Sequence, residues 1–457
     1  MAQTITEEKV TWRSMAPIIG SSTLGTAIEW YDFFLYTLLS GTIFAKLYFP
    51  TLNPTAGVIA AFTTNFVGLA ARPVGGAFFG WFGDRVGRKS TLVATMLLMG
   101  IATLLIGLLP DYATLGIAAP ILLSILRFLQ GVGVGGEWGG SVLLTLENSD
   151  THRRGFWASW PQAGLFLGLG LAGLAIVVFT AIFPGSLFLS IGWRIPFLLS
   201  VFLIVVGLVI RLRLLETPLF SKIKEEKRVS HSPLLEVFKY HWREILLTTL
   251  LRSGEQAPFY IFTAFVFTYG TRSLNLDSTA IYIGIVLTAI VGFASTLGFS
   301  TLSDIIGRKR WFLLGLVLMA AYAYPYFLLL RTKNPVLIAI AVVISLGICH
   351  AWLYGPEAAM ISERFGTKLR YTGASLGYQL ASITAGGPAP IIATYLYANH
   401  QTLSPGLPDY TLIVFYIIGM CVISFVVVFG LREYARKAVA PDIEEREEKL
   451  ALVEAID

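Results

Sequence analysis

Eight ionisable side chains lie inside stretches of sequence that are otherwise apolar: Glu29, Asp32, Arg72, Arg127, Glu137, Arg252, Glu255 and Glu357. Charge in apolar surroundings is costly unless it is paired or put to use. Two uses fit these residue types. A crowded, buried carboxylate can bind and release a proton near neutral pH, and a guanidinium can grip a carboxylate through two parallel hydrogen bonds. Glu29 and Asp32 stand at i and i+3, so they share one helix face, and Tyr36 continues it. Asp32, Glu29 and Glu137 are therefore the candidate proton carriers, with Asp32 favoured over Glu29. Arg72 precedes Asp84 by twelve residues, about 18 Å of helix at 1.5 Å per residue, which places it level with Glu29 and predicts pairing with one of the two acids.

The remaining candidates extend this set. Glu137 lies about 15 Å of helix before Glu147, with Arg127 ten residues further on. Glu357 follows Glu137 by 220 residues, so the two occupy matching places in a repeated chain. Arg252 and Glu255, three apart, are placed to pair along one helix, and Gln256 and Tyr260 extend that face. Gln162, Trp138, Tyr378 and Gln379 sit on apolar segments where they could line a cavity, and His350 reads as a packed core histidine. Arg72, Arg127, Tyr36, Arg252, Gln256, Tyr260, Gln162, Glu357, Tyr378 and Gln379 make up the candidate substrate site. No metal-ligand cluster, phosphate loop or nucleophile–base arrangement is evident, so no cofactor, metal or ATP is expected. The run GVGVGG in 131–136 lies inside an apolar span with no preceding strand, which excludes a dinucleotide fold.

The elements that position these residues must cross a membrane. Hydrophobic residues make up 55% of the 457, charged residues 14%, and mean hydropathy is +0.70; soluble domains carry about 25% charged residues. Twelve segments are long enough to span: 15–40, 57–82, 90–109, 119–146, 155–183, 193–214, 244–270, 279–302, 311–330, 335–361, 371–397 and 410–432. Hydrocarbon forces them to be helices. The first is not a cleaved leader, because Glu29 and Asp32 interrupt it. Both cysteines lie in apolar segments, so no disulfide framework is implied.

One motif repeats. Asp84, Gly87, Arg88 and Lys89 return as Asp304, Gly307, Arg308 and Lys309, each shifted by 220. The reading is a six-helix bundle over 1–210, a polar linker over 211–243, a second bundle over 244–432 and a tail over 433–457. With the Asp84 turn placed inside, nineteen Lys and Arg face the cytoplasm against four outside, which puts both termini in the cytoplasm. The formal net charge of +6 is thereby a topology signal rather than a nucleic-acid patch. Asp84 is placed to cap the helix that follows it, and Arg88 to reach Glu147.

GWFGDRVGRK resembles the cytoplasmic signature of the major facilitator superfamily; the second copy departs from it with Ser300 where the first has Gly80. AIEWYDFFLY, ARPVGGAFFG, LRFLQGVGVGGEWGG, GWRIPFLLS and RYTGASLGYQL look like the metabolite:proton symporter branch, in the right order along nearly the whole chain. The resemblance is to bacterial shikimate, α-ketoglutarate, citrate and proline/betaine symporters. It implies an all-α membrane protein of two pseudo-symmetric six-helix bundles, working as a monomer in the cytoplasmic membrane of a prokaryote by alternating access. It also implies a gating latch made by Asp84, Arg85, Gly87, Arg88, Lys89 and Glu147, with Asp304, Gly307 and Arg308 in the second copy. The expected function is proton-coupled symport of a small polar metabolite. The arginines favour an organic acid anion, a zwitterion is the alternative, and export of apolar compounds is the more distant one.

Overall fold

The computed structural model describes residues 11–86, 88–150, 152–212, 233–365 and 370–433, without the side chains of 80, 81, 83–86, 88, 89, 210–212, 233–236, 238 and 240. Its regular structure is helical throughout. The spans are α1 (Trp12–Leu39), α2 (Pro54–Val86), α3 (Arg88–Leu108), α4 (Ala118–Glu147), α5 (Arg154–Ile182) and α6 (Arg194–Leu212). The second set begins with α7, which runs from Pro233–Leu251 through Ser253–Tyr260 to Val266–Arg272. It continues with α8 (Thr279–Ile306), α9 (Arg308–Arg331), α10 (Pro335–Val342 and Ala351–Ser362), α11 (Arg370–Ala381 and Pro388–Ala398) and α12 (Thr411–Gly430).

Local chemistry sets several of the ends. Thr11 accepts from the backbone of Ser14 at the start of α1, and the Ser14 side chain accepts from Thr11 in return. Asn334 accepts from the amides of Val336 and Leu337, with Pro335 at the first position of α10. Gly307 separates α8 from α9 at φ 104°, a backbone angle that side chains resist.

Nine described helices are long and apolar enough to cross a bilayer unaided. The other three spans, α1, α7 and α11, are among those that carry the polar groups of the interior. π-helical segments interrupt α7 at Ile261–Phe265, α10 at Val343–His350 and α11 at Ser382–Gly386, and one extends α1 at Ser40–Phe44. Such widened turns leave the regular hydrogen-bond ladder and often mark functional positions.

α2 and α4 are in backbone contact: a Cβ on Gly131 would collide with the carbonyl of Gly68, and one on Gly135 with that of Arg72. The small residues recurring every four along α4 permit this approach, which sets Arg72 and Arg127 on facing walls. Across the two sets, α5 packs on α8 and α10, and α2 packs on α11.

Candidate functional site

In the first half, α1 supplies an aromatic wall. The Arg72 guanidinium carbon lies 4.4 Å from the Phe33 ring centre and 5.0 Å from that of Trp30. Arg127 approaches the same Phe33 ring at 4.7 Å and Tyr36 at 4.1 Å. Cation–π contact holds the planar groups in place without neutralising them. Arg127 Nη2 donates to Asn65 Oδ1 at 2.6 Å and its Nη1 to Gln130; Gln130 in turn donates to Thr103 Oγ1 at 2.8 Å and to the Asp32 carbonyl. Both arginines are fully buried. Arg72 Nε and Nη2 and Arg127 Nε have no hydrogen-bond partner.

Of the two acids expected to pair with Arg72, Asp32 makes no hydrogen bond to it. Residues three apart on a helix diverge by about 60°. Asp32, with the shorter side chain, turns into the bundle beside Thr103, and neither of its oxygens has a hydrogen-bond partner. Glu29 instead lines the cavity that Arg72 also borders. Tyr36 donates to the Ala61 carbonyl at 3.4 Å and backs Arg127, so it supports the site from behind.

The second half pairs its charges internally. Arg252 Nε meets Glu357 Oε1 at 2.9 Å and Nη2 meets Glu255 Oε2 at 3.1 Å. Its Nη1 donates to the Tyr378 carbonyl at 2.6 Å, and the guanidinium lies 3.5 Å from the centre of the Tyr378 ring. His350 Nε2 contacts Glu255 Oε1 at 2.6 Å. His350 is packed as the sequence suggested, between Phe259 and Tyr354, but it is also hydrogen-bonded. Gln256 donates to Ser382 at 3.2 Å, leaving its carbonyl oxygen without a partner, as is the Tyr260 hydroxyl.

Between the halves lies a narrow cavity lined by Thr26, Glu29 and Trp30 of α1, Arg72 of α2, Val134, Trp138 and Ser141 of α4, Pro161 and Gln162 of α5, and Tyr378 and Gln379 of α11. Polar side chains cross it. Trp138 stacks on Tyr378 at 3.8 Å and donates to Gln162 at 2.9 Å; Gln162 donates to the Tyr354 carbonyl at 3.1 Å. Gln379 reaches the Gly135 carbonyl and Tyr371 the Gly136 carbonyl. Of the eight ionisable groups named from sequence, Glu29 is the most exposed, at 5%. The site is thus closed off from water.

Both ends of the interface are joined. At the end carrying the repeated motif, Asp304 Oδ1 and Oδ2 accept from the amides of Gly155 and Phe156, each at 3.0 Å, in the first turn of α5. A carboxylate there satisfies free amides and meets the positive end of the helix. Arg308 holds Asp304 at 3.0 Å and grips Glu363 through two bonds of 2.7 Å. At the far end, Arg272 donates to the Pro54 carbonyl at 2.8 Å. The acid therefore caps a helix of the opposite half, whereas the sequence reading of the first copy had it capping its own next helix. Asp304 lies within α8, two residues before its end, so its side chain leaves sideways. Gly87 and the side chains of Asp84, Arg85, Arg88 and Lys89 lie outside the described residues. Glu147, at the end of α4, is half-buried.

The structure adds residues that sequence reasoning missed: Asn65, Thr103 and Gln130 around Arg127, Trp30 and Phe33 beneath the guanidiniums, and Tyr354 and Ser382 in the second half. Only Gln130, three residues after Arg127 on one helix, carried a spacing signal.

Known proteins agree with this architecture. The sequence profile of the Major Facilitator Superfamily matches residues 23–388 and 300–456. An inner membrane metabolite transport protein of Escherichia coli (strain K12) is 37% identical over 396 residues, covering 85% of this chain and 90% of the relative. The shikimate transporter of the same organism is 35% identical, covering 90% and 93%. The proline/betaine transporter of Salmonella typhimurium is 32% identical, covering 88% and 81%. The crystallised proton:xylose symporter bound to 6-bromo-6-deoxy-D-glucose shares the fold at a TM-score of 0.71 and 15% identity, over 96% of this chain and 99% of that one. Twelve helices in two related sets, charges enclosed between them and these relatives place the chain in the major facilitator superfamily, as a multi-pass membrane transporter of metabolites.

Proposed function

We propose that the protein carries a small organic acid anion together with protons by alternating access, as a monomer in the cytoplasmic membrane of a prokaryote with both termini inside. The observation that carries this reading is the pair Arg72 and Arg127. Two buried guanidiniums flank one aromatic ring, with nitrogens lacking hydrogen-bond partners. A carboxylate of the cargo would accept from those free donors. The transported shikimate of one relative supports it. A zwitterion is the second reading, because Glu29 and Arg72 border the same cavity and could receive its two poles.

Asp32 is the favoured proton carrier, ahead of Glu29 and Glu137. Its oxygens lack hydrogen bonds, so the charged form is uncompensated and protonation removes the desolvation cost. The loaded, protonated carrier would then close more readily than the empty one, which couples the two fluxes. For gating, Asp84, Arg85, Arg88 and Lys89 with Glu147 would form the counterpart of the Asp304–Arg308–Glu363 latch.

Counterflow in proteoliposomes against a panel of radiolabelled mono-, di- and tricarboxylates, proline and betaine tests the cargo. Exchange of an organic acid alone is expected; exchange of only proline or betaine would select the zwitterion.

A further inference from the structure

Glu255 and Glu357 share a single guanidinium, that of Arg252, and His350 closes the set. All four are at most 1% exposed. With both acids ionised and the imidazole neutral, the cluster carries a net charge of −1. Other titratable groups around it are uncharged in their ordinary forms: Tyr260 on α7, Cys349 and Tyr354 on α10, Tyr378 on α11 and Cys421 on α12. From α5 Phe166 and Gln162, both uncharged, approach. The next cations, Arg72 and Arg127, act on Tyr260 from the other half. Among the described residues no cation beyond Arg252 and His350 lies within ion-pair distance of the two acids, and leaving the extra negative charge buried costs several kcal/mol.

One proton removes that cost, and the geometry shows where it fits. His350 Nε2–H donates to Glu255, which keeps Glu255 turned toward Arg252 as the ionised partner. Glu357 uses Oε1 for Arg252, while its Oε2 has no partner. A proton added at Oε2 breaks no existing contact. The cluster is also tied to closure of the molecule. Arg252 seats Tyr378, which stacks on Trp138 of the opposite half, and the Tyr354 carbonyl accepts from Gln162 of that half.

We propose that Arg252, Glu255, Glu357 and His350 form a second proton-binding site, separate from the acids of α1, which holds one proton on Glu357 when the halves close. His350 is a positioning residue: it fixes which of the two carboxylates takes the proton. The role in transport rests on the proton-coupled reading above, but the site is tested without any cargo, so the two fail separately.

The test is infrared difference spectroscopy of the purified full-length carrier in nanodiscs of bacterial lipids, titrated with pH. The signal is the carbonyl stretch of a protonated carboxylic acid. Wild type is expected to show two such bands, Asp32→Asn one, and Asp32→Asn with Glu357→Gln none. Should that double variant not purify as a folded monomer, Glu357→Gln alone must lose one band of two. His350→Phe should move the midpoint of the Glu357 band by about one pH unit, a tenfold change in proton affinity. His350→Gln, which keeps an N–H donor, should restore it. Absence of any acid band in Asp32→Asn, or a band that survives Glu357→Gln and disappears only with Glu29→Gln or Glu137→Gln, would overturn the assignment.

Discussion

The two halves share one motif yet treat their buried arginines in different ways. In the first, Arg72 and Arg127 rest on aromatic rings, Arg127 also on amide oxygens, and three of their nitrogens have no hydrogen-bond partner. In the second, Arg252 has two carboxylates and a carbonyl to itself. A guanidinium whose donors are all taken has little to offer a ligand, and one with free donors can receive an anion. The first half is therefore the one that would grip the cargo, and the second the one that balances charge and carries the closing contacts to Trp138 and Gln162.

That contrast can be broken at its strongest point. Replacing Arg127 or Arg72 by Met should lower uptake by about 100-fold, corresponding to roughly 3 kcal/mol of lost charge-assisted binding, with unfolding temperature little changed. Radiotracer uptake alongside thermal unfolding of the purified variants separates the two. Arg252→Gln should do the reverse in kind: two buried carboxylates lose their only cation, and stability falls by about 3–5 kcal/mol. Adding Glu255→Gln and Glu357→Gln to it should recover most of that loss. If Arg252→Gln is stable while Arg127→Met unfolds, the assignment of roles is inverted.

Much of this was legible in the sequence. Hydropathy marked all twelve spans, the 220-residue offset marked the repeat, and the i, i+3 spacing marked the Arg252–Glu255 pair. Charge in an apolar run is conspicuous, so the eight ionisable residues stood out one by one. Their partners did not. Asn65, Thr103 and Gln130 are uncharged and unremarkable among apolar neighbours, and they meet Arg127 and one another only because α2, α3 and α4 pack together. Arg252 and Glu357 are 105 residues apart, and no local period links them. The π-helical segments have no periodic signature either. Spacing placed Glu29 and Asp32 on one face, but it could not show that a 60° divergence sends them to different surroundings.

A smaller effect would sharpen the comparison at the motif end. Asp304→Asn keeps an oxygen for the α5 amides but loses the charge that meets the helix end and Arg308. The balance between closed and open states should shift by about 1–2 kcal/mol, slowing transport several-fold with equilibrium affinity nearly intact. Asp84→Asn is expected to behave alike, and unequal effects of the two would show that the two latches differ in weight. Stopped-flow transport rates and equilibrium binding of the same preparation distinguish gating from recognition.

The most direct measurement is transport by Asp32→Asn in proteoliposomes, with an acid-outside pH gradient in one arm and equal pH with preloaded cargo in the other. Loss of proton-driven accumulation with exchange retained is the expected result, since exchange of internal for external cargo needs no net proton movement. Uphill, pH-dependent accumulation by a well-folded Asp32→Asn carrier would contradict the assignment of the coupled proton to Asp32.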